Sequence, residues 1–513
     1  MPDAAPPRLA VVPIALLFAF TLALHLAATA VTPYGFHRDE FLYLAMGRHL
    51  DLWRMDFPPG IALLANAVRG LLGDSLADVR FVPGVVGAVL VVLAALLARE
   101  FGGGRTAQVL AALFVICNPL FLRTASLFMP VVLDQLWWVL AFLALARLAR
   151  TGAPRWWVLL GVAGGLGLLT KWSILFIGFG VLVGLLATPL RRSLLTPWPY
   201  VTLGIALLIG HPSVAGQVAL DWPLRLQMAG LQEDQLGRIG FGEYAGMQVL
   251  WSPPGLVLAV AGLLGLLTAR TLRPWRAIGV ACLAVWVLLL VLQGKSYYVG
   301  PIFPALFAAG GVMLERVARP GLRTALVWAA VVLSVTWGLV SLPLGVPVVP
   351  PQPMARYAAR LGLTAAVQTN RGTVLPLPQD YADMLGWEEK VRAVARVYDS
   401  LPPDERRDAV ILAPNYGRAG ALDFYGPRLG LPEAVCPCGT FWQFGPGEKP
   451  GRVVVGVGIS ARFLEEHFDS VATAATVLEP WGVEEEQEMV IRVARGPRRT
   501  LQEEWRGFGP NYR

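Results

Sequence analysis

Eleven apolar runs recur through the first two thirds of the chain, at about residues 9–31, 80–98, 106–122, 130–149, 156–170, 173–190, 198–210, 246–268, 276–293, 298–314 and 324–342. A helix of about 20 apolar residues crosses a bilayer. In lipid it is also one of the few structures that satisfies every backbone donor and acceptor. Only 15% of the residues are charged, where a soluble chain carries about a quarter. The pattern excludes a soluble fold for this region and predicts a polytopic α-helical membrane protein with about 11–13 transmembrane helices. The first run is too long for a signal-peptide core and lacks a cleavage pattern, so it reads as a membrane helix.

The formal charge of +8 does not point to nucleic acid, because the arginines fall between apolar runs and form no single basic face. They set an orientation instead. With the N-terminus in the cytoplasm, the inner loops hold Arg99 and Arg105; Arg147, Arg150 and Arg155; Arg191 and Arg192; Arg270, Arg273 and Arg276; and Arg316, Arg319 and Arg323, as positive-inside orientation requires. The acids Asp39, Glu40, Asp51, Asp56, Asp74, Asp78, Asp134, Asp221, Glu233, Asp234 and Glu243 then lie on the outer side or within a run. Lys171 and Lys295 are the only lysines before residue 350, and both fall at outer run ends.

Past the Pro-rich stretch 346–351 the character changes, with 19 Lys/Arg and 21 Asp/Glu in the remainder. β-Branched runs at 372–375, 409–412, 452–458 and 489–493 alternate with helical patterns near 380–398 and 461–468. This predicts a soluble α/β domain over 346–513 after a membrane domain over 1–345. An odd number of spans puts it outside the cytoplasm. The outer loop 32–79 exceeds a mere connector, and its apolar positions predict a surface helix from Phe41 and a second over Ile61 to Leu72. Cys117 and Cys282 lie in apolar runs and read as core residues; Cys436 and Cys438 stand too close for an ordinary disulfide between them.

Chemistry gathers at the outer face. Asp39 and Glu40, in His37-Arg38-Asp39-Glu40, directly follow the first apolar run. Paired carboxylates at a lipid–water boundary can be stabilised by a cation, and one can take a proton from an attacking hydroxyl; an acidic helix cap has the same sequence signature. Asp134 lies in an apolar run, where an ionisable group costs at least about 2.5–3.5 kcal/mol to insert. With Asp39 it can share a divalent cation through oxygen ligands. Lys171 and Lys295, the latter followed by Ser296, Tyr297 and Tyr298, can hold a phosphate as point charges or snorkel to the interface.

The residues also resemble a family. His37-Arg38-Asp39-Glu40, Asp56-Phe57-Pro58-Pro59, Arg99-Glu100-Phe101-Gly102-Gly103, Phe128-Met129 through Asp134-Gln135-Leu136, Leu168-Leu169-Thr170-Lys171-Trp172, Gly294-Lys295-Ser296-Tyr297-Tyr298 with Pro301, and Asn415-Tyr416-Gly417-Arg418-Ala419-Gly420-Ala421-Leu422 are similar in kind and order to bacterial glycosyltransferases. The group is that of the protein O-mannosyltransferases and the lipid A aminoarabinose transferase, all of GT-C fold. The resemblance implies Asp39 as the catalytic carboxylate beside Glu40. It implies Asp134 and Asp56 as acids that, with Asp39, hold a divalent metal in the lipid A branch, and Lys171 on the donor phosphate. Phe57 departs from the pattern, standing where relatives often have His or Lys; Arg38 or His37 can substitute.

The expectation is therefore an inverting glycosyltransferase, multi-pass in the bacterial inner membrane with its C-terminal domain periplasmic. It moves a sugar from a polyprenyl-phosphate donor to a hydroxyl of a lipid, glycan or protein acceptor. Asp39 and Glu40 would be catalytic; Lys171, Arg38, Lys295, His37, Tyr297 and Tyr298 would bind the donor phosphate; Asp39, Asp56 and Asp134 would hold a divalent metal. No nucleotide-binding glycine loop appears, so no nucleotide cofactor is expected. A polytopic lipid or sugar transporter is the alternative; it calls for internal repeats and midplane charges, whereas the polar residues here gather on one side.

Overall fold

The structure, a computed structural model, describes residues 6–510. A polytopic helical membrane part is followed by a soluble domain built on a mixed sheet. All eleven apolar runs form helices. Among the described residues seven are long and apolar enough to cross a membrane, or up to nine if each bent pair is one span. The expected 11–13 is reduced because the runs at 106–122 and 156–170 form Arg105–Ile116 and Arg155–Thr170, of 12 and 16 residues. At about 1.5 Å per residue these fall short of a hydrocarbon core of about 30 Å.

Two other runs are broken. Ile174–Leu186 meets Pro189–Leu195 at 107°, and Phe241–Trp251 meets Pro253–Thr268 at 105°. At the second break Ser252 caps the new helix, its Oγ accepting the Gly255 N–H at 3.0 Å, and proline fills the first helical position. Proline there gives up a donor that has no helical partner anyway.

Ser296–Glu315 and Pro130–Thr151 are mostly buried, while Val11–Val31 and Pro320–Gly345 leave most of their surface uncovered. Glycine permits the tightest contact in the bundle: a Cβ on Gly262 would lie 2.1 Å from the Leu306 carbonyl oxygen, and one on Gly310 would lie 2.2 Å from that of Leu258. Lipid supplies no hydrophobic drive between helices, so close backbone approach of this kind drives their packing.

The outer loop folds into two helices, Arg38–Arg48 and Gly60–Leu71, as its pattern predicts. In the soluble domain β1 (Val410–Leu412), β2 (Ala434–Val435), β3 (Val453–Val457), β4 (Phe468–Leu478) and β5 (Glu488–Pro497) form one sheet of order β2-β1-β3-β5-β4. The β2-β1-β3 part is parallel and β3-β5-β4 antiparallel. The expected strand at 372–375 is only an isolated bridge, Gln368 with Val374. Cys436 and Cys438 form a disulfide, contrary to expectation; their Cα atoms lie 5.4 Å apart, within the usual bridging range.

The helix Tyr416–Tyr425 docks the soluble domain onto Arg38–Arg48. Two glycines allow it: a Cβ on Gly420 would lie 2.7 Å from the Phe41 Cβ, and one on Gly417 would lie 3.2 Å from the Arg38 Cβ. Phe41, Trp387, Leu422 and Phe424 share one buried apolar cluster across this seam.

Candidate active site at the outer membrane face

The helix Arg38–Arg48 begins with a reciprocal cap. His37 Nδ1 accepts the Asp39 N–H at 3.0 Å, and Glu40 Oε2 accepts the His37 N–H at 2.7 Å. This arrangement satisfies two orphan donors and fixes the first helical turn. Glu40, fully buried, also binds the Arg80 guanidinium twice, at 3.0 and 2.8 Å, and accepts the Phe128 N–H at 2.9 Å. Burial opposes its charge, but Arg80 and the two backbone donors hold its carboxyl below the usual range. Glu40 is thus committed on both oxygens and offers a substrate no free acceptor of its own.

Asp39, next in the turn, faces a different environment. Its Oδ1 accepts the Tyr416 hydroxyl at 2.8 Å, and Oδ2 has no protein donor among the described residues. Tyr43, one helical turn on, keeps its proton: burial, then the charge of Asp39 and the neighbouring Tyr416 and Tyr298, push its pKa well up. Tyr416 is orientated from below. Asn415 caps its helix by accepting the Arg418 N–H at 2.9 Å and donates to Glu486 at 3.2 Å. Lys390 and Arg418 both pair with the buried Glu486.

Tyr298, a neighbour of Tyr43, meets the cations. Lys171 Nζ lies 4.4 Å from its ring centroid and 5.5 Å from that of Tyr297, whose ring also lies 6.0 Å from Lys295 Nζ. Contacts of this kind hold an ammonium over a ring face. Asp134, fully committed, accepts from Ser173 Oγ at 2.7 Å and from Trp138 Nε1 at 3.1 Å. Beside these, Gln135 Nε2 and Trp172 Nε1 are buried donors with no protein acceptor, a state costly enough to point to a missing partner.

Arg38 and His37 lie elsewhere than the sequence expectation put them. Arg38 Nη1 pairs with Asp383 at 3.3 Å and Glu485 at 2.5 Å, and although burial disfavours its charge, these acids with Tyr416 and Asp39 hold it well above its ordinary pKa. His37 Nε2 lies 3.7 Å from Asp383 and 3.8 Å from Asp380. A phosphate at either would meet these carboxylates, so both residues leave the phosphate-binding set. Asp380 is held by Arg123.

The three acids expected to share a metal are each engaged separately. Asp56 accepts the Thr440 hydroxyl at 3.0 and 2.9 Å and the Phe57 N–H at 3.1 Å. Among the described residues no group of three or more His, Cys, Asp or Glu could hold a metal ion. Asp39, Asp56 and Asp134 therefore do not form such a group. Phe57 packs on the apolar cluster under the docked domain. The contributions absent from the sequence reading are Tyr416 as partner of Asp39, Arg80 as partner of Glu40, and Ser173 and Trp138 on Asp134. Tyr416 was visible as part of a quoted motif without an assigned contact.

Residues 56–215 match the family described as "Dolichyl-phosphate-mannose-protein mannosyltransferase", a stretch that takes in Asp56, Asp134 and Lys171 but not Asp39. No curated protein matches the chain. Among solved structures, ArnT from Cupriavidus metallidurans bound to undecaprenyl phosphate superposes with a TM-score of 0.61 at 14% identity, over 94% of this chain and 98% of that one. Its apo state gives 0.58 at 15% identity, over 95% and 98%. The apo oligosaccharyltransferase of Archaeoglobus fulgidus gives 0.50 at 13% identity, over 81% and 63%. At such identities the likeness is one of fold.

Proposed function

We propose that this protein is a membrane glycosyltransferase that moves a sugar, with inversion, from a polyprenyl-phosphate donor to a hydroxyl of a lipid, glycan or protein acceptor. Two features beside Tyr43 carry the reading: Asp39, a carboxylate with one open oxygen, and Tyr298, over whose ring the Lys171 ammonium sits. In the reaction Asp39 Oδ2 takes the proton of the acceptor hydroxyl as its oxygen bonds to the anomeric carbon. The bond from that carbon to the phosphate oxygen breaks, and its electron pair leaves on the phosphate. Lys171, with Lys295 at the rim, meets the charge that develops there. The Gln135 and Trp172 donors have sugar hydroxyls or phosphate oxygens as natural partners. Glu40 positions the helix that carries Asp39.

The site would face the periplasm from the inner membrane. The basic loops favour that orientation, and the Cys436–Cys438 disulfide agrees with an oxidising compartment. ArnT of Cupriavidus metallidurans was solved with undecaprenyl phosphate, a molecule of the class this reading releases as product.

The test is to incubate the purified protein with radiolabelled polyprenyl-phosphate sugar and follow release of polyprenyl phosphate in the presence of envelope lipids, glycans and secreted protein fractions. Release by the wild type and none by a folded Asp39→Asn variant is expected. Wild-type turnover in that variant would sink the assignment of Asp39, and no release with any fraction would count against the transferase reading.

A further inference from the structure

A cavity of about 490 Å³ opens between the two outer-loop helices, lined by Gly47, Arg48, Asn66, Arg69, Gly70 and Asp74 among others. It lies at the opposite end of Arg38–Arg48 from Asp39, nine residues or about 14 Å along the axis. Its charge is unbalanced. Arg48 spends one bond on the Asp423 carbonyl oxygen at 2.8 Å, and Arg428 pairs with Asp74 at 2.9 Å. Arg69, half-buried, has no ion pair or hydrogen bond among the described residues, and burial together with the charges of Arg48 and Arg428 pulls its pKa down, Asp74 opposing. Arg69 thus stands beside Arg48 and Arg428 with Asp74 as the carboxylate that offsets it, and an anion would relieve the repulsion.

Two further features bear on the kind of anion. A guanidinium fork matches the oxygens of a phosphate, and Asn66 adds an amide. At the cavity edge Leu71 and Leu72 end the Gly60–Leu71 helix 83% and 50% exposed. Two exposed leucines beside a basic cavity on an interfacial helix suit a molecule with a charged head and an apolar tail. Gly47 keeps the helices close enough to form the floor, since a Cβ there would lie 2.9 Å from the Ala65 Cβ.

We propose that this cavity is a second ligand site, separate from the Asp39 centre, that binds a phosphate group through Arg69, Arg48 and Asn66, with the phosphate carried on a membrane lipid. The site does not rest on the transferase reading, because binding alone reports on it.

Binding is measured by calorimetry on the full-length protein in a neutral detergent with two probes, dioctanoyl phosphatidic acid and inorganic phosphate. The lipid probe is expected to bind saturably and more tightly than the free ion. Arg69→Gln should weaken both at least tenfold, whereas Arg462→Gln, at an exposed arginine of the soluble domain outside the cavity, should leave both unchanged. A Cβ on Gly70 meets no atom within 4 Å, so Gly70→Leu fills the cavity without disturbing its walls and should abolish binding even if Arg69→Gln fails to fold. No saturable binding of either probe, or binding left whole in both Gly70→Leu and Arg69→Gln, would overturn the site. Loss in Lys171→Met but not in Arg69→Gln would move the ligand to the Asp39 centre and overturn it equally. Equal affinity for the two probes would overturn the lipid part of the proposal.

Discussion

The Tyr416 hydroxyl donates a 2.8 Å hydrogen bond to Asp39 Oδ1 across 377 residues of sequence. The soluble domain therefore completes the site that the membrane domain begins. A hydrogen bond to a charged group is worth about 1.5–3 kcal/mol, so its loss would be felt in the reaction more than in the fold.

Tyr416→Phe should keep the ring packing and the docked seam while removing that bond. Turnover should fall about tenfold or more, with the thermal midpoint nearly unchanged. Release of polyprenyl phosphate, measured beside thermal unfolding, checks both. Unchanged turnover would make the tyrosine a packing residue only.

Glu40→Gln should behave in the opposite way. The side chain is fully buried and pairs with Arg80, itself buried, and breaking a buried pair by removing one charge costs about 3–5 kcal/mol. The variant should unfold at clearly lower temperature than Asp39→Asn. Arg80→Met should do the same, since it strands the carboxylate. A Glu40→Gln protein as stable as wild type would contradict the positioning role.

Much of this arrangement was legible in the residues. Every apolar run became a helix, because lipid leaves a chain few other ways to satisfy its backbone. The Asp39–Tyr416 contact was not legible, because it depends on Gly417 and Gly420 letting two distant helices touch, and no local periodicity encodes that. The 105° break falls at Ser252-Pro253-Pro254-Gly255, breaker residues that lie inside a stretch read as one run. Strand β4 was missed because most of its residues are small or polar and exposed, leaving no alternation to read. Arg38 looked free for phosphate only while Asp383 and Glu485 were far away in sequence.

Asp423 provides a pH test of the docked domain. Burial, with Glu433 nearby, raises its carboxyl to about 7, while the Ala434 N–H and Arg48 pull the other way. The unfolded value is about 3.9, so the native state holds the proton more tightly. This contribution to stability is therefore full below about pH 4 and is lost as pH rises towards and through about 7. Asp423→Asn keeps an acceptor for Ala434 and removes the charge. Its melting temperature should exceed that of wild type at pH 8, with a gap that narrows as pH falls and closes below about pH 4; a gap independent of pH would refute the assignment.

The side of the membrane on which the sheet domain lies can be read directly. A fluorescent protein that matures only in the cytoplasm, fused after Arg513, should stay dark, and a periplasmic phosphatase fused there should be active. The reverse result would invert the proposed orientation and place Asp39 on the cytoplasmic face.

Lys171 gives the most direct test of where the donor phosphate sits. Its backbone N–H ends the helix Arg155–Thr170 by donating to the Gly167 carbonyl oxygen, and its ammonium lies over Tyr298 at 4.4 Å. Lys171→Met keeps the apolar stem and the cap while removing the charge. Loss of one group that stabilises developing charge typically costs about 10²–10³ in turnover, and donor dependence should shift with it. Lys171→Arg should restore only part, because a planar fork cannot sit over the ring and reach the phosphate as a compact ammonium does. Lys295→Met, 6.0 Å from the Tyr297 ring centroid, should have the smaller effect of a residue at the rim. Transfer rates over a range of donor concentrations in detergent, with folding checked by thermal unfolding, separate these cases. A folded Lys171→Met protein with unchanged donor dependence and turnover would leave Lys171 as an interfacial side chain reaching for water.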